Sequence, residues 1–195
     1  LNPASMSAIV VRPSTGDILA LANRPTFNPN NRRGESLDAF KNRALTESIE
    51  PGSTFKIVTW SAVLNEEKVT LDDEINCFGG RWTVPGTRRV INDDQGHHLG
   101  KVSVEQAFAH SSNVGAVQLS RHLETNRFVQ YIRDFGFLAR TDIECAERTT
   151  NRIEYRDGRT NVVLSYGESS GRIPSWDGWT PSSLAFGYAL RVTPI

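Results

Sequence analysis

The run Pro51-Gly52-Ser53-Thr54-Phe55-Lys56-Ile57-Val58-Thr59-Trp60-Ser61-Ala62-Val63-Leu64 constrains the fold more than any other stretch of this chain. A Pro-Gly break ends whatever precedes it, and Ser53 is well placed near a helix N-terminus. Ile57, Val58, Trp60, Val63 and Leu64 make the predicted helix, Ser53 to Glu66, apolar on most sides. Such a helix is stable only where neighbours bury it, so the rest of the chain must build a core around it. Lys56 carries a cation into that core. Residues three apart share a helix face, so Ser53 and Lys56 can meet.

That pair has a chemical reading. A serine hydroxyl is a poor nucleophile until a base takes its proton. A lysine is such a base only when burial or positive charge lowers its pKa. The helix N-terminus adds positive potential where an oxyanion would develop, and the backbone N–H of Ser53 is a natural donor to it. A second short box, Ser111-Ser112-Asn113, supplies another hydroxyl and a carboxamide. Each box alone has a plain structural explanation: a capping serine beside a solvated lysine, or an ordinary helix cap. Together they assemble a nucleophile (Ser53), a base (Lys56), a proton relay (Ser111) and a substrate clamp (Asn113). This is an acyl-transfer kit, and it calls for no cofactor and no metal.

The 195 residues are enough for one domain with a sizeable core. At 38% hydrophobic and 23% charged residues, the chain reads as globular and not disordered. A formal net charge of zero gives no electrostatic case for nucleic acid or an anionic membrane. Ser7 to Val11 and Ile18 to Ala22, joined by the turn Ser14 to Asp17, read as a β-hairpin. Pro25 to Gly34 reads as a polar loop, and Val69 to Gly100 as irregular. Ser103 with Gln106 is a capping box opening a helix, and Asn113 to Leu123 a further helix. Arg127 to Phe135 is amphipathic and stops at Gly136. Asn161 to Tyr166 reads as a short strand, and Gly171 to Ser182 as a Pro/Trp/Gly-rich loop. The expected fold class is α+β: a hairpin at 7–22, a helical active-site region at 51–136 and an irregular region at 137–195. Cys77 and Cys145 have no C-x-x-C spacing and are expected to be buried free thiols, with a structural disulfide between them the alternative. The chain opens at Leu1 and closes where a helix is about to begin, so it is expected to be part of a longer protein.

The motifs carry a resemblance. Ser7 to Asn30 resembles the opening of a class B penicillin-binding protein transpeptidase domain. Asn42-Arg43 followed by Glu50 to Lys56 is similar to that family's first active-site box (SxxK) with its lead-in. Ser111-Ser112-Asn113-Val114-Gly115 is similar to its second box (SxN), in the form found in the septal, cell-division subgroup. Phe186-Gly187-Tyr188 and Val192-Thr193-Pro194 resemble the segment before the late helices. The resemblance implies a partial fold of the penicillin-binding-protein and serine β-lactamase type: a helical subdomain plus the first strands of an antiparallel sheet. It implies that Ser53 is acylated by the D-Ala-D-Ala end of a peptidoglycan stem peptide, with Lys56 as base. Ser111 would relay a proton toward the leaving D-Ala, and Asn113 would bind the substrate backbone and help hold Lys56. β-Lactams would be covalent inhibitors. A membrane glycosyltransferase and division proteins would be partners of the parent. The site would lie on the extracytoplasmic (periplasmic) face of the bacterial cytoplasmic membrane, anchored by an N-terminal helix outside this chain.

One departure matters. The family's third box, Lys-Ser/Thr-Gly, is absent, since no lysine follows Lys101. The missing strand would bind the substrate carboxylate and supply the second oxyanion donor, so the piece alone is expected to be inactive or nearly so. A lesser departure is Ile143-Glu144-Cys145-Ala146-Glu147, where relatives have a Pro-Gly turn. Other readings are a β-lactam-sensing receptor domain or an inactive scaffold homologue, which share both boxes. A serine β-lactamase would need a deacylating group, for which Glu168 is the one candidate. Gly167-Glu168-Ser169-Ser170-Gly171 fits the G-x-S-x-G elbow of α/β-hydrolases, but no histidine follows it and a turn-rich loop replaces the required helix. His97-His98 lacks further metal ligands at useful spacing. His110 and Ser111, read as adjacent on a helix, would point about 100° apart and are not expected to pair.

Overall fold

A computed structural model describes residues 3–94, 96, 98–137, 139, 143, 152–157, 160–165 and 180–194. Its organising element is helix α2 (Lys56–Asn65), entered through a 3-10 turn at Gly52–Phe55. Two separate cores meet on this helix. Phe55, Val58 and Ala62 pack with Phe128 and Ile132 of helix α5 (Thr125–Asp134) and with Leu184, Leu190 and Val192. Trp60 and Val63 pack with Val114, Val117 and Leu119 of helix α4 (Asn113–Ser120), with Val104 and Ala107 of helix α3 (Val104–Ala109), and with Ile91. Having apolar partners on two sides explains why this segment is apolar nearly all round, as the sequence pattern predicts.

Strands β1 (Met6–Val11) and β2 (Ile18–Arg24) form the expected antiparallel hairpin, with Ala8 opposite Ala22 and a shift of register between Val10 and Val11. Asn23 ties it to the segment that leads into the Gly52–Phe55 turn. Its side chain donates to Asn42 Oδ1 (3.0 Å) and accepts from the Arg43 backbone N–H (3.1 Å) at the start of the short helix α1 (Arg43–Thr46). The buried Arg43 pairs with Asp38 and Glu47.

Three features differ from the sequence reading. First, the stretch from 69 to 100 is not simply irregular. β3 (Glu74–Asn76) pairs with β6 (Lys101–Ser103), and β4 (Arg81–Thr83) pairs with β5 (Val90–Asn92), both antiparallel. Three-residue strands are too short to print a period on the sequence, and their pairing alone defines them. Second, α4 ends at Ser120, followed by i→i−3 bonds from Arg121 to Gln118 and His122 to Leu119. Third, the region after 137 holds more than the one strand expected at Asn161 to Tyr166, which is present as β8 (Thr160–Ser165): β7 (Arg152–Asp157) forms a hairpin with it, and helix α6 (Thr180–Leu184) and β9 (Leu190–Arg191), which pairs with β7, follow. The capping box predicted at Ser103 is present in both directions: its hydroxyl accepts from Gln106 N–H (3.1 Å), and Gln106 Oε1 accepts from Ser103 N–H (3.0 Å). Gly136 terminates α5 with φ near +84°, its N–H bonded to Arg133 O. Among the described residues no helix is long and apolar enough to cross a membrane.

Candidate active site

The 3-10 turn places Ser53 at the surface and Lys56 underneath it, only 1% exposed. Ser53 is not a side-chain cap, because Pro51 occupies the N-cap position and makes no side-chain cap bond. The Lys56 backbone N–H donates to the Ser53 carbonyl, so the two residues lie one tight turn apart. Their side chains are not hydrogen-bonded to each other. Lys56 Nζ instead donates to the hydroxyl of Ser111 at 2.9 Å and to the Ser111 carbonyl, across 55 positions of sequence.

Ser111 reaches the lysine through an unusual backbone. Helix α3 stops at His110, and Ser111 adopts the left-handed conformation, φ +55°. Ser111 N–H bonds Phe108 O (2.8 Å) and Ser112 N–H bonds Ala107 O (2.9 Å). This is a Schellman turn, in which the left-handed position is usually glycine. A serine there costs about 1 kcal/mol or more. The geometry returned is a carbonyl and a hydroxyl both turned onto one ammonium group.

Helix α4 begins immediately afterward. Ser112, fully buried, caps it by accepting from Gly115 N–H at 2.9 Å. Asn113 donates from Nδ2 to Asn92 O at 2.9 Å. Here Lys56 is bonded to Ser111, and Asn113 to Asn92, with no hydrogen bond between Asn113 and Lys56. Burial lowers the Lys56 pKa to about 8, against the pull of Asp93 and Asp94, whose negative charges raise it. A lysine in that range is readily neutral at mildly alkaline pH, which a general base requires.

The turn carrying Ser53 is braced from the far end of the chain. Gly52 N–H donates to Gly187 O (3.1 Å), and Ile49 and Val192 exchange both backbone bonds (2.8 and 2.9 Å). Thr59 Oγ1 donates to Ala185 O at 2.8 Å, and Ala189 N–H reaches Glu50 Oε1 at 3.2 Å. Gly187 has φ +84° and lies so close to the turn that a Cβ on it would fall 2.0 Å from the Gly52 carbonyl oxygen.

The transpeptidase domain of penicillin-binding proteins matches residues 6–195. The chain belongs to that family. As a transpeptidase-family domain it is 30% identical, over its full length, to stage V sporulation protein D of Bacillus subtilis, and covers 27% of that protein. It is 29% identical over 98% of its length to the peptidoglycan D,D-transpeptidase FtsI of Escherichia coli, covering 29% of it. In structure it is similar to penicillin-binding protein 3 of Mycobacterium tuberculosis, crystallised with aztreonam: TM-score 0.77, 28% identity, 97% of this chain and 38% of that one. The chain therefore spans less than a third of the length of the Bacillus subtilis and Escherichia coli proteins, and its fold is a partial penicillin-binding-protein fold of helices with antiparallel strands.

Two residues of this transpeptidase-family site had no signal in the sequence reading. Asp93 falls in the stretch Val69 to Gly100, which the sequence marks only as irregular. Its carboxylate in fact accepts from Asn113 N–H, Val114 N–H and Ser112 Oγ. Gly187 sat in a recognised motif, but nothing local marked its approach to Gly52. His98 Nδ1 lies 3.3 Å from Gly79 O, and no metal-ligand cluster occurs among the described residues. Cys77 is a buried free thiol whose pKa burial raises. His97, Cys145, the Gly167–Gly171 elbow with Glu168, and the Pro/Trp/Gly-rich loop up to residue 179 lie outside the described residues.

Proposed function

We propose that this chain is the acylating part of a peptidoglycan D,D-transpeptidase, a single partial transpeptidase domain over 1–195. The observation that carries it is Lys56: buried, one turn from an exposed serine and bonded 2.9 Å to a second hydroxyl, Ser111. Neutral Lys56 takes the Ser53 proton as Ser53 Oγ attacks the penultimate D-Ala carbonyl. The oxyanion forms at the N-terminal end of α2, where the Ser53 N–H and the helix dipole favour it. The proton passes from Lys56 through Ser111 to the departing D-Ala amine, leaving an ester on Ser53. The amine of a second stem peptide then attacks that ester, loses its proton back through the same groups and completes the cross-link. Asn113, two residues after Ser111 at the start of α4, takes a substrate backbone group with whatever hydrogen-bonding capacity Asn92 leaves.

β-Lactams mimic the donor and stall at the ester. Support comes from the family and from relatives whose names carry D,D-transpeptidase and penicillin-binding functions, one of them crystallised with aztreonam. The resemblance of the two boxes to the septal subgroup extends the proposal to a septal role, a site outside the cytoplasmic membrane on an anchored protein, and a glycan-polymerising division partner for the parent.

The deciding experiment is intact mass spectrometry of the full-length protein with benzylpenicillin, beside Ser53→Ala. One penicillin adduct, absent from Ser53→Ala, is expected. A folded wild-type protein that takes up none would overturn the reading. The 195 residues alone contain no Lys-Ser/Thr-Gly triplet. Without its oxyanion donor, and at about 100- to 1000-fold per lost donor, they are expected not to hydrolyse a depsipeptide substrate analogue. Turnover by the isolated piece at the rate of the full-length protein would contradict this.

A further inference from the structure

We infer that Asp93 is a positioning residue for the acylation proposed above: it pins the α3–α4 junction so that Ser111 stays in its left-handed turn and facing Lys56. The inference rests on the transpeptidase reading of that site. Asp93 follows directly on β5, and its own N–H is fixed to Gly80 O at 2.8 Å. From this mount one carboxylate serves three consecutive residues. Oδ1 accepts from Asn113 N–H (2.6 Å) and Val114 N–H (2.9 Å), and Oδ2 accepts from the Ser112 hydroxyl (2.9 Å). The preceding carbonyl, Asn92 O, takes the Asn113 side chain. Every residue after Ser111 up to Val114 is thus tied to a two-residue segment of another element.

The need for such a tie is local and physical. Ser111 pays for a backbone conformation that serine does not favour. A left-handed residue persists only where its surroundings over-determine it. Backbone bonds of the Schellman turn hold the α3 side, and Asp93 holds the α4 side. A carboxylate also suits the positive end of α4, an eight-residue helix. Its charge has a second consequence: among the described residues Asp93 and Asp94 are the charged groups that act on Lys56, and both favour the ammonium form. Asp93 therefore couples the placement of the relay hydroxyl to the protonation of the base. A plain structural cap would do only the first.

The test uses the full-length protein and reads two quantities against pH. One is the acylation rate with benzylpenicillin. The other is the titration of Lys56 itself, by NMR of its side-chain carbon next to Nζ, assigned by loss of the signal in Lys56→Arg. In Asp93→Asn the Lys56 midpoint is expected to fall and the plateau acylation rate to drop about tenfold or more. Asp93→Glu, which keeps the charge at a changed length, should restore the midpoint but not the plateau. Ser112→Ala should lower the plateau with the midpoint in place. If Asp93→Asn does not fold, the last two variants decide, and an unchanged plateau in both overturns the inference. A folded Asp93→Asn with wild-type midpoint and plateau, altered only in melting temperature, also overturns it. The Lys56 titration needs no acyl-enzyme. Should wild type form no adduct, the transpeptidase reading fails while an unmoved Lys56 midpoint in Asp93→Asn remains the separate mark of failure here.

Discussion

Replacing Lys56 with methionine is expected to lower the rate of penicillin acylation about a thousandfold at pH 8 without lowering thermal stability at pH 7. On the proposed mechanism the rate loss follows from removal of the base, for which losses of about 100- to 10,000-fold are usual. The unchanged stability follows from linkage. The folded-state pKa of Lys56 is about 8, against 10.5 for the ordinary lysine, because burial disfavours the charge. Between those values the unfolded chain holds a proton that the folded protein has released, so stability rises as pH climbs from 8 to 10.5. Below 8 the fold carries a buried charge at a cost of about 3 kcal/mol relative to strongly alkaline pH. Methionine removes that cost and keeps most of the volume, offsetting the bonds to Ser111 that it loses. In the wild type, acylation should climb with pH through about 8 and level off above it, since roughly a tenth of Lys56 is neutral at pH 7. Initial rates of adduct formation from pH 6 to 10, with melting curves alongside, check both parts. A flat rate profile, or a Lys56→Met variant that melts far below wild type at pH 7, would count against this account.

Gly187→Ala should be among the most damaging single-methyl changes in the chain. The new Cβ would lie 2.0 Å from Gly52 O, 2.7 Å from Gly52 C and 2.8 Å from Gly52 N. All three are backbone atoms, so no side chain can swing aside. The residue also sits at φ +84°, where alanine is disfavoured. Relief requires the turn Gly52–Phe55 to move, and Ser53 moves with it. A loss of about 3 kcal/mol or more is expected, with acylation down about a hundredfold in any folded fraction. Gly136→Ala is the matched control: it has the same φ, +84°, but nothing within 4 Å of its added Cβ. It should cost only the backbone term, about 1 kcal/mol. Denaturant melts of the two variants separate close approach from conformational strain, and equal losses would refute the steric account.

Sequence pattern alone was sufficient for the features written in local chemistry. The apolar run from Ile57 to Leu64 demanded a buried helix, the alternation around Ala8 and Ala22 demanded a hairpin, and Ser103 with Gln106 demanded a cap. Ser53, Lys56, Ser111 and Asn113 were nameable as candidates because hydroxyl, amine and carboxamide sit in short motifs. What the tertiary structure decided is how those candidates relate. Lys56 bonds Ser111 and not Ser53, Asn113 bonds Asn92 and not Lys56, and both outcomes depend on how α2 and α4 pack. Asp93 and Gly187 act across about 20 and 135 positions, and the short strands β3 to β6 exist only through their pairing. Periodicity and capping are properties of neighbours in the chain, so a sequence displays them. A left-handed serine held by a remote carboxylate, and a glycine needed because another backbone passes against it, are properties of neighbours in space, which only the folded chain brings together.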